Sequence, residues 1–365
     1  FTNLQISLTA AELSKFKASS DVYLPFGFPP QPEQVLKLGN LKKTLRSLAE
    51  NGPDEFYRGS IANELVTDLN EGGSRITLED LHNYIPLESE PLRGKHRGHD
   101  LYTPGVTSGG QRLNEALEYV EKNLNYSDPF GANTYISYAK GLNKAFKSHK
   151  EKLGRTINYG CTSHMSTVDS EGNMVSLTYT LLNRFGSKVV LPRTGVLMNN
   201  SVSYFDPRPG YPTSMAGGKR INSSNMCPTI CVKNGEAKFA VGASGANHIV
   251  PCTMELTAFL IDYGLSLEDA FNLPRIDVNE TDLITVDPNL GEETINQLSR
   301  HFKINVAQNL VFPKLYSCPS GVYRDNKKGK TYGISDKNSP SSGAVSEGLH
   351  DFTETAQGMS NVPRA

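Results

Sequence analysis

Apolar residues recur at helical spacing through much of the first 161 positions, then fall into short alternating runs from Thr162 onward. Leu113, Ala116, Leu117 and Val120 share one face of a predicted helix over 111–123. Other helix starts are signalled by Thr9-Ala-Ala-Glu12 and Thr77-Leu-Glu-Asp80, which have capping-box spacing or a close variant of it. Pro53 opens a further run to Leu69, which Gly72-Gly73 stops. Strands are predicted over 165–168, 174–181, 188–191, 196–198, 229–232 and 238–241, with turn signals at Asp169-Ser-Glu-Gly-Asn173 and Lys233-Asn-Gly235. Helices return over 253–263, at the capping sequence Ser266-Leu-Glu-Asp269 and over 292–301, and a last hairpin is predicted over 321–333. Helices, then strands, then helices imply a layered α+β fold. After Ser335 the chain turns polar, and 346–365 form a tail with few apolar anchors.

Composition narrows the partners more than the fold. At 365 residues, one large domain and two ordinary ones both fit. Lys and Arg number 37 against 38 Asp and Glu, and the formal charge of −1 gives no electrostatic reason to bind nucleic acid or an anionic membrane. No apolar run approaches the roughly 20 residues needed to cross a bilayer, and Phe1-Thr-Asn-Leu-Gln5 does not resemble a signal peptide. The expectation is a soluble protein with a small or neutral partner. Cys161, Cys227, Cys231, Cys252 and Cys318 are an odd set in a large chain, which argues against a disulfide framework and for a reducing, cytoplasmic setting. Cys227 and Cys231 lie four apart with no further ligand to complete a zinc set, so they read as buried strand thiols and no metal is expected.

Candidate chemistry concentrates at Cys161-Thr162-Ser163-His164, where a threonine enters a short strand that a turn sends back. A threonine hydroxyl alone is a poor nucleophile. Once the Cys161–Thr162 bond is cut, the freed α-amine, with a reference pKa of roughly 7.7 to 8.0, can take the hydroxyl proton. His164 lies on the same strand face as Thr162 and reads as a structural hydrogen-bonding partner rather than a base. Cys161 lacks an orienting group for a Cys/His hydrolase.

The ordered motifs Thr162-Ser-His-Met-Ser-Thr-Val-Asp169, Gly172-Asn173, Phe185-Gly186, Thr194-Gly-Val-Leu-Met-Asn-Asn200, Gly218-Lys-Arg220, Met226-Cys-Pro-Thr229 and Gly242-Ala-Ser-Gly245 resemble the γ-glutamyltransferase family. Upstream, Asn51-Gly-Pro-Asp-Glu-Phe-Tyr-Arg-Gly59, Ile76-Thr-Leu-Glu-Asp-Leu81 and Pro104-Gly-Val-Thr-Ser-Gly-Gly110 resemble the end of that family's large subunit. The resemblance implies a four-layer αββα N-terminal-nucleophile hydrolase fold spanning 1–365 as a single domain. It also implies a self-cut bond between Cys161 and Thr162, giving a heterodimer of 1–161 and 162–365 that is open to further dimerisation. Thr162 falls on the nucleophile, Thr180 on the threonine that orients it, and Gly245 and Ala246 on the pair whose N–H groups form the oxyanion hole. Alanine fits there if the local φ tolerates a Cβ.

Recognition is where the chain departs from the family. Ser201 and Tyr204 stand where acidic or amide groups hold the α-amino group of a γ-glutamyl substrate. Leu182 replaces an expected asparagine, with Asn183 one place on. The serine pair for the substrate carboxylate corresponds either to Ser223 with Ser224 or to Ser224 with Asn225, and Arg220 is a further candidate for that carboxylate. The family's first hundred or more large-subunit residues have no counterpart here, and missing segments account for this better than a fold stripped of strands. Three functions follow as expectations. One is transfer or hydrolysis of a γ-glutamyl amide such as glutathione, with an amino acid, peptide or water as acceptor and no cofactor. The second is an amidase or acylase for substrates without a free α-amino group, and the third is an unprocessed, silent scaffold.

Overall fold

The computed structural model describes residues 2–125, 128, 130–154, 160–216, 224–278, 283–312 and 314–347. Ser223, Arg220 and the tail beyond 347 lie outside them. Contacts gather the chain into two compact units, Phe1–Ser89 with Leu181–Ser201 and Glu90–Thr180 with Val202–Ala365.

The first unit contains α1 (Thr2–Leu13), α2 (Lys17–Tyr23), α3 (Leu41–Asn51), α4 (Asp54–Tyr57), α5 (Ser60–Glu71) and α6 (Leu78–His82). Small clusters around Ile6, Leu13 and Leu24, and around Ile61, Leu65 and Leu191, hold it together. Thr77 and Asp80 form the reciprocal capping box that starts α6. Thr9 starts no helix. It lies inside α1, and its hydroxyl donates back to the Gln5 carbonyl at 2.7 Å. The run from Pro53 is broken at Arg58-Gly59, where the Glu55 carboxylate accepts from the Ser60 N–H and so satisfies a donor at the start of α5. The strands predicted over 188–191 and 196–198 reduce to one bridge, Val190 to Leu197. Lys188 has φ 65°, and a turn closed by Gly195 N–H to Leu191 C=O leaves no length for a ladder.

The second unit runs β1 (Leu92–His96), β2 (His99–Thr103), α7 (Gly109–Asn123), α8 (Ala132–Leu153), β3 (Thr162–Val168), β4 (Met174–Thr180), β5 (Thr229–Lys233) and β6 (Glu236–Ser244). It continues with α9 (Ile249–Asp262), α10 (Leu267–Asn272), β7 (Ile276–Val278), β8 (Leu283–Val286), α11 (Glu292–Ser299), β9 (Lys303–Val306), β10 (Cys318–Asp325) and β11 (Lys330–Ser335). The six-stranded sheet has the order β1-β2-β5-β6-β10-β11, β3 and β4 form a hairpin, and β7, β8 and β9 form a third sheet.

Packing runs helix, sheet, sheet. Helices α7 and α9 cover one face of the large sheet, with α8 packed on α7, while β3 and β4 stack on β6 and β10. The core between helices and sheet gathers Leu113, Leu117, Tyr138, Phe146, Phe239, Val241 and Phe259, all essentially without solvent contact. Burying such side chains contributes about 1.5–3 kcal/mol each. The hairpin is patterned differently. Thr162, His164, Ser166, Ser176, Thr178 and Thr180 face inward, whereas Met165, Val175, Leu177 and Tyr179 are exposed on the outer face.

Candidate active site

Strand pairing sets the central geometry. The Asp169 carboxylate accepts from the Gly172 and Asn173 N–H groups at 2.7 and 2.8 Å and fixes the turn between β3 and β4. The resulting register puts Thr162 directly opposite Thr180 and His164 opposite Thr178. Facing antiparallel residues have Cβ atoms about 4.5–5.5 Å apart, so two short hydroxyl side chains can meet. The Thr162 hydroxyl donates to Thr180 Oγ1 at 3.4 Å, and the Thr180 hydroxyl donates to the Cys161 carbonyl at 3.0 Å. The carbonyl of the bond preceding Thr162 is thus held by the hydroxyl next to the Thr162 side chain.

His164 packs behind this pair. Its ring hydrogen-bonds the hydroxyls of Thr178 at 2.8 Å and Ser166 at 3.0 Å, and a Cβ on Gly242 of β6 would collide with it. Burial pushes the imidazole down to about 4, so it is neutral at physiological pH. Its hydrogen bonds fit the structural role expected from the sequence, and its contact with Gly242 braces the hairpin on the large sheet.

The oxyanion candidates follow β6. Gly245 has φ 139°, a backbone state open to glycine, and Ala246 has φ 53°, so the predicted alanine sits in the left-handed region despite its Cβ. That conformation costs roughly 1–2 kcal/mol for an L-residue. Such strain is characteristic of functional turns. A one-turn 3-10 helix, Ala246–His248, leads into α9. The segment before Thr162 presses on this turn, since a Cβ on Gly160 would lie 2.8 Å from the Ala246 Cβ and 2.9 Å from its nitrogen. His248 pairs with Asp277 at 2.8 Å; burial opposes its charge, but the carboxylate outweighs burial and holds its pKa above the usual range.

The recognition candidates divide between the two units. In the first unit, the Asn183 N–H donates to the Asn200 side chain at 2.9 Å while the Asn183 side-chain oxygen is buried, without a partner among the described residues. The Ser201 N–H donates to Asn199 Oδ1 at 2.9 Å. In the second unit, Tyr204 is buried, and burial raises its hydroxyl to about 12 against the opposing charge of Arg112. The Ser224 hydroxyl donates to Ser108 Oγ at 3.1 Å. Asn225 turns inward, accepting from Arg112 and donating to Asn247. Sequence reasoning missed Arg112, a fully buried cation on the first turn of α7. Its signal was a charge on the otherwise apolar face that Leu113 and Ala116 define.

Comparison with known proteins shows which family the chain resembles along its length. The gamma-glutamyltranspeptidase family profile matches residues 3–154 and 130–346. The chain is 31% identical over 315 residues to the glutathione hydrolase proenzyme of Escherichia coli strain K12, covering 72% of this chain and 54% of that protein. It is 30% identical over 312 residues to the acylase ACY 1 proenzyme of Pseudomonas sp. strain SE83, covering 74% and 55%. The chain therefore spans about half the length of these curated relatives. A crystal structure of cephalosporin acylase from Bacillus halodurans superimposes with a TM-score of 0.76 at 23% identity, over 91% of this chain and 68% of that one. The fold is accordingly that of the N-terminal-nucleophile hydrolases, and the chain belongs to the gamma-glutamyltranspeptidase family.

Proposed function

We propose that this chain cuts itself between Cys161 and Thr162 and then cleaves or transfers a γ-glutamyl or related amide through an acyl-enzyme on Thr162. The observation that carries this reading is the hydroxyl chain from Thr162 through Thr180 to the Cys161 carbonyl. In self-cleavage, Thr162 Oγ1 attacks the Cys161 carbonyl carbon, the hydroxyl proton passes to the Thr162 nitrogen as the Cys161–Thr162 C–N bond breaks, and an ester joins Cys161 to Oγ1. Thr180 donates to the carbonyl oxygen as it gains charge. Water hydrolyses the ester, leaving a carboxylate on Cys161 and a free amine on Thr162. That amine is the base of the mature site: it takes the hydroxyl proton as Oγ1 attacks the substrate amide and gives it to the leaving amine. The N–H groups of Gly245 and Ala246 stabilise the oxyanion, a contribution of the order of 10²–10³ in rate per donor. Water releases the acid, or an amino acid or peptide accepts the acyl group. The two pieces stay together as a heterodimer.

A second reading rests on Tyr204. A buried phenol stands where the resemblance expects a carboxylate for the substrate ammonium, and sites built on polar pairing discriminate by up to roughly 10⁴–10⁵. An acyl donor without the α-amino group suits this position better, and one relative of 30% identity is named an acylase. Competition between a γ-glutamyl anilide and simple N-acyl anilides separates the two readings. Preference for the γ-glutamyl compound supports the first, and preference for the N-acyl compound supports the second. Absence of cleavage of either by the processed protein contradicts both.

A further inference from the structure

Among the described residues of the second unit, Arg112 is the largest side chain with no solvent exposure. Burying a guanidinium costs several kcal/mol unless its surroundings compensate, so the contacts it makes indicate why it is tolerated. Nη1 donates to Asn225 Oδ1 and Nη2 to the Ser224 carbonyl, both at 2.9 Å, and the cation lies 5.1 Å from the centre of the Phe146 ring on α8. Nearby His149 is held neutral, its pKa pushed down to about 3 by burial and by the charge of Arg112. The fork thus pins the 224–225 segment to the first turn of α7. The backbone repeats the clamp, with Ser224 N–H donating to Thr107 C=O and Gly109 N–H to Met226 C=O.

The fork also orients the Asn225 amide. A guanidinium only donates, so the Asn225 oxygen must face it and the amide NH2 must face away. That NH2 donates to Asn247 Oδ1 at 2.5 Å, and Asn247 is buried directly after Ala246. A donor polarised by a neighbouring cation makes a stronger hydrogen bond in a buried setting.

We propose that Arg112 is a positioning residue for the oxyanion turn, acting through Asn225 and Asn247 to hold the Ala246 N–H where the substrate oxyanion forms. The inference rests on the function proposed above. Misplacing catalytic donors by about 1 Å can cost on the order of 10²-fold in rate, so the orientation of one amide matters.

The test uses the full, self-processed protein with Arg112→Met, Asn247→Ala and the double variant, assayed on whichever anilide the wild type cleaves best. Each single variant should lower kcat by about 10- to 10²-fold and change KM by less than about threefold. The double variant should be no slower than the slower single, because both break one chain. Self-cleavage should persist in all three, since Thr180 serves the Cys161 carbonyl; a general loss of folding would abolish it. If Arg112→Met does not fold, Asn247→Ala alone must still lower kcat. The proposal is overturned by additive losses, by a raised KM with kcat unchanged, or by Asn247→Ala turning over like the wild type. A wild type inactive on every anilide overturns the proposed function as well, whereas an active wild type with unaffected variants overturns only the role of Arg112.

Discussion

The residues proposed to react and the residues proposed to read the acyl group are held in different ways. Thr162 and Thr180 face each other across a regular antiparallel ladder whose register is fixed by the Asp169 turn and backed by His164. The recognition candidates Asn183, Ser201, Tyr204 and Ser224 sit outside the β-strands, and the segment after β4 includes left-handed Leu182, Phe185 and Lys188. A ladder holds two hydroxyls at hydrogen-bond range with little dependence on neighbouring side chains. Loops accept substitution without disturbing the sheet, which is why binding residues so often lie on them. On the proposed function, substitutions in these loops change the acyl group accepted without disturbing the Thr162–Thr180 pair.

Four outcomes test that contrast. Thr162→Ala should stay uncut and lose activity by a factor of about 10⁴ or more, as removal of a nucleophile does elsewhere; gel electrophoresis and anilide turnover read both. Thr180→Val keeps the ladder but removes the donor to the Cys161 carbonyl. It should slow self-cleavage by about 10²-fold, measured as the disappearance of uncut chain with time. Tyr204→Asp should leave self-cleavage intact and shift the kcat/KM ratio toward the γ-glutamyl anilide by about tenfold; equal effects on both anilides would place Tyr204 outside recognition.

The smallest effect concerns pH. His164 is neutral when folded, with a pKa near 4, whereas an unfolded histidine takes its proton near 6.5. Protons therefore favour the unfolded chain between those values. The contribution is fully present above about pH 6.5 and is lost as the pH falls toward 4, at no more than about 1.4 kcal/mol per pH unit. Denaturant melts of wild type against His164→Gln should show a shallower acid slope in the variant.

Much of this was legible locally. The turn residues 169–173 and the short apolar runs on either side predict the hairpin, the pairing of Thr162 with Thr180 is what the family resemblance implies, and the capping box at Thr77 and the apolar face of α7 are read directly from spacing. The longest helix, α8, was passed over although Tyr135, Tyr138, Ala139, Leu142, Ala145 and Phe146 recur at helical intervals; its lysines interrupt the apolar run. The hairpin of β1 and β2 and the sheet of β7 to β9 were missed because their strands are short and, for β8 and β9, pair in parallel across a helix. The inward turn of Asn225 was illegible for a related reason, since Arg112 meets it across 113 positions. No local pattern reports such a partner.

Intact mass and N-terminal sequencing of the purified wild-type protein test the central claim most directly. The account predicts two associated pieces, one of them beginning at Thr162. A single uncut chain, or a cut at any other bond, would contradict it.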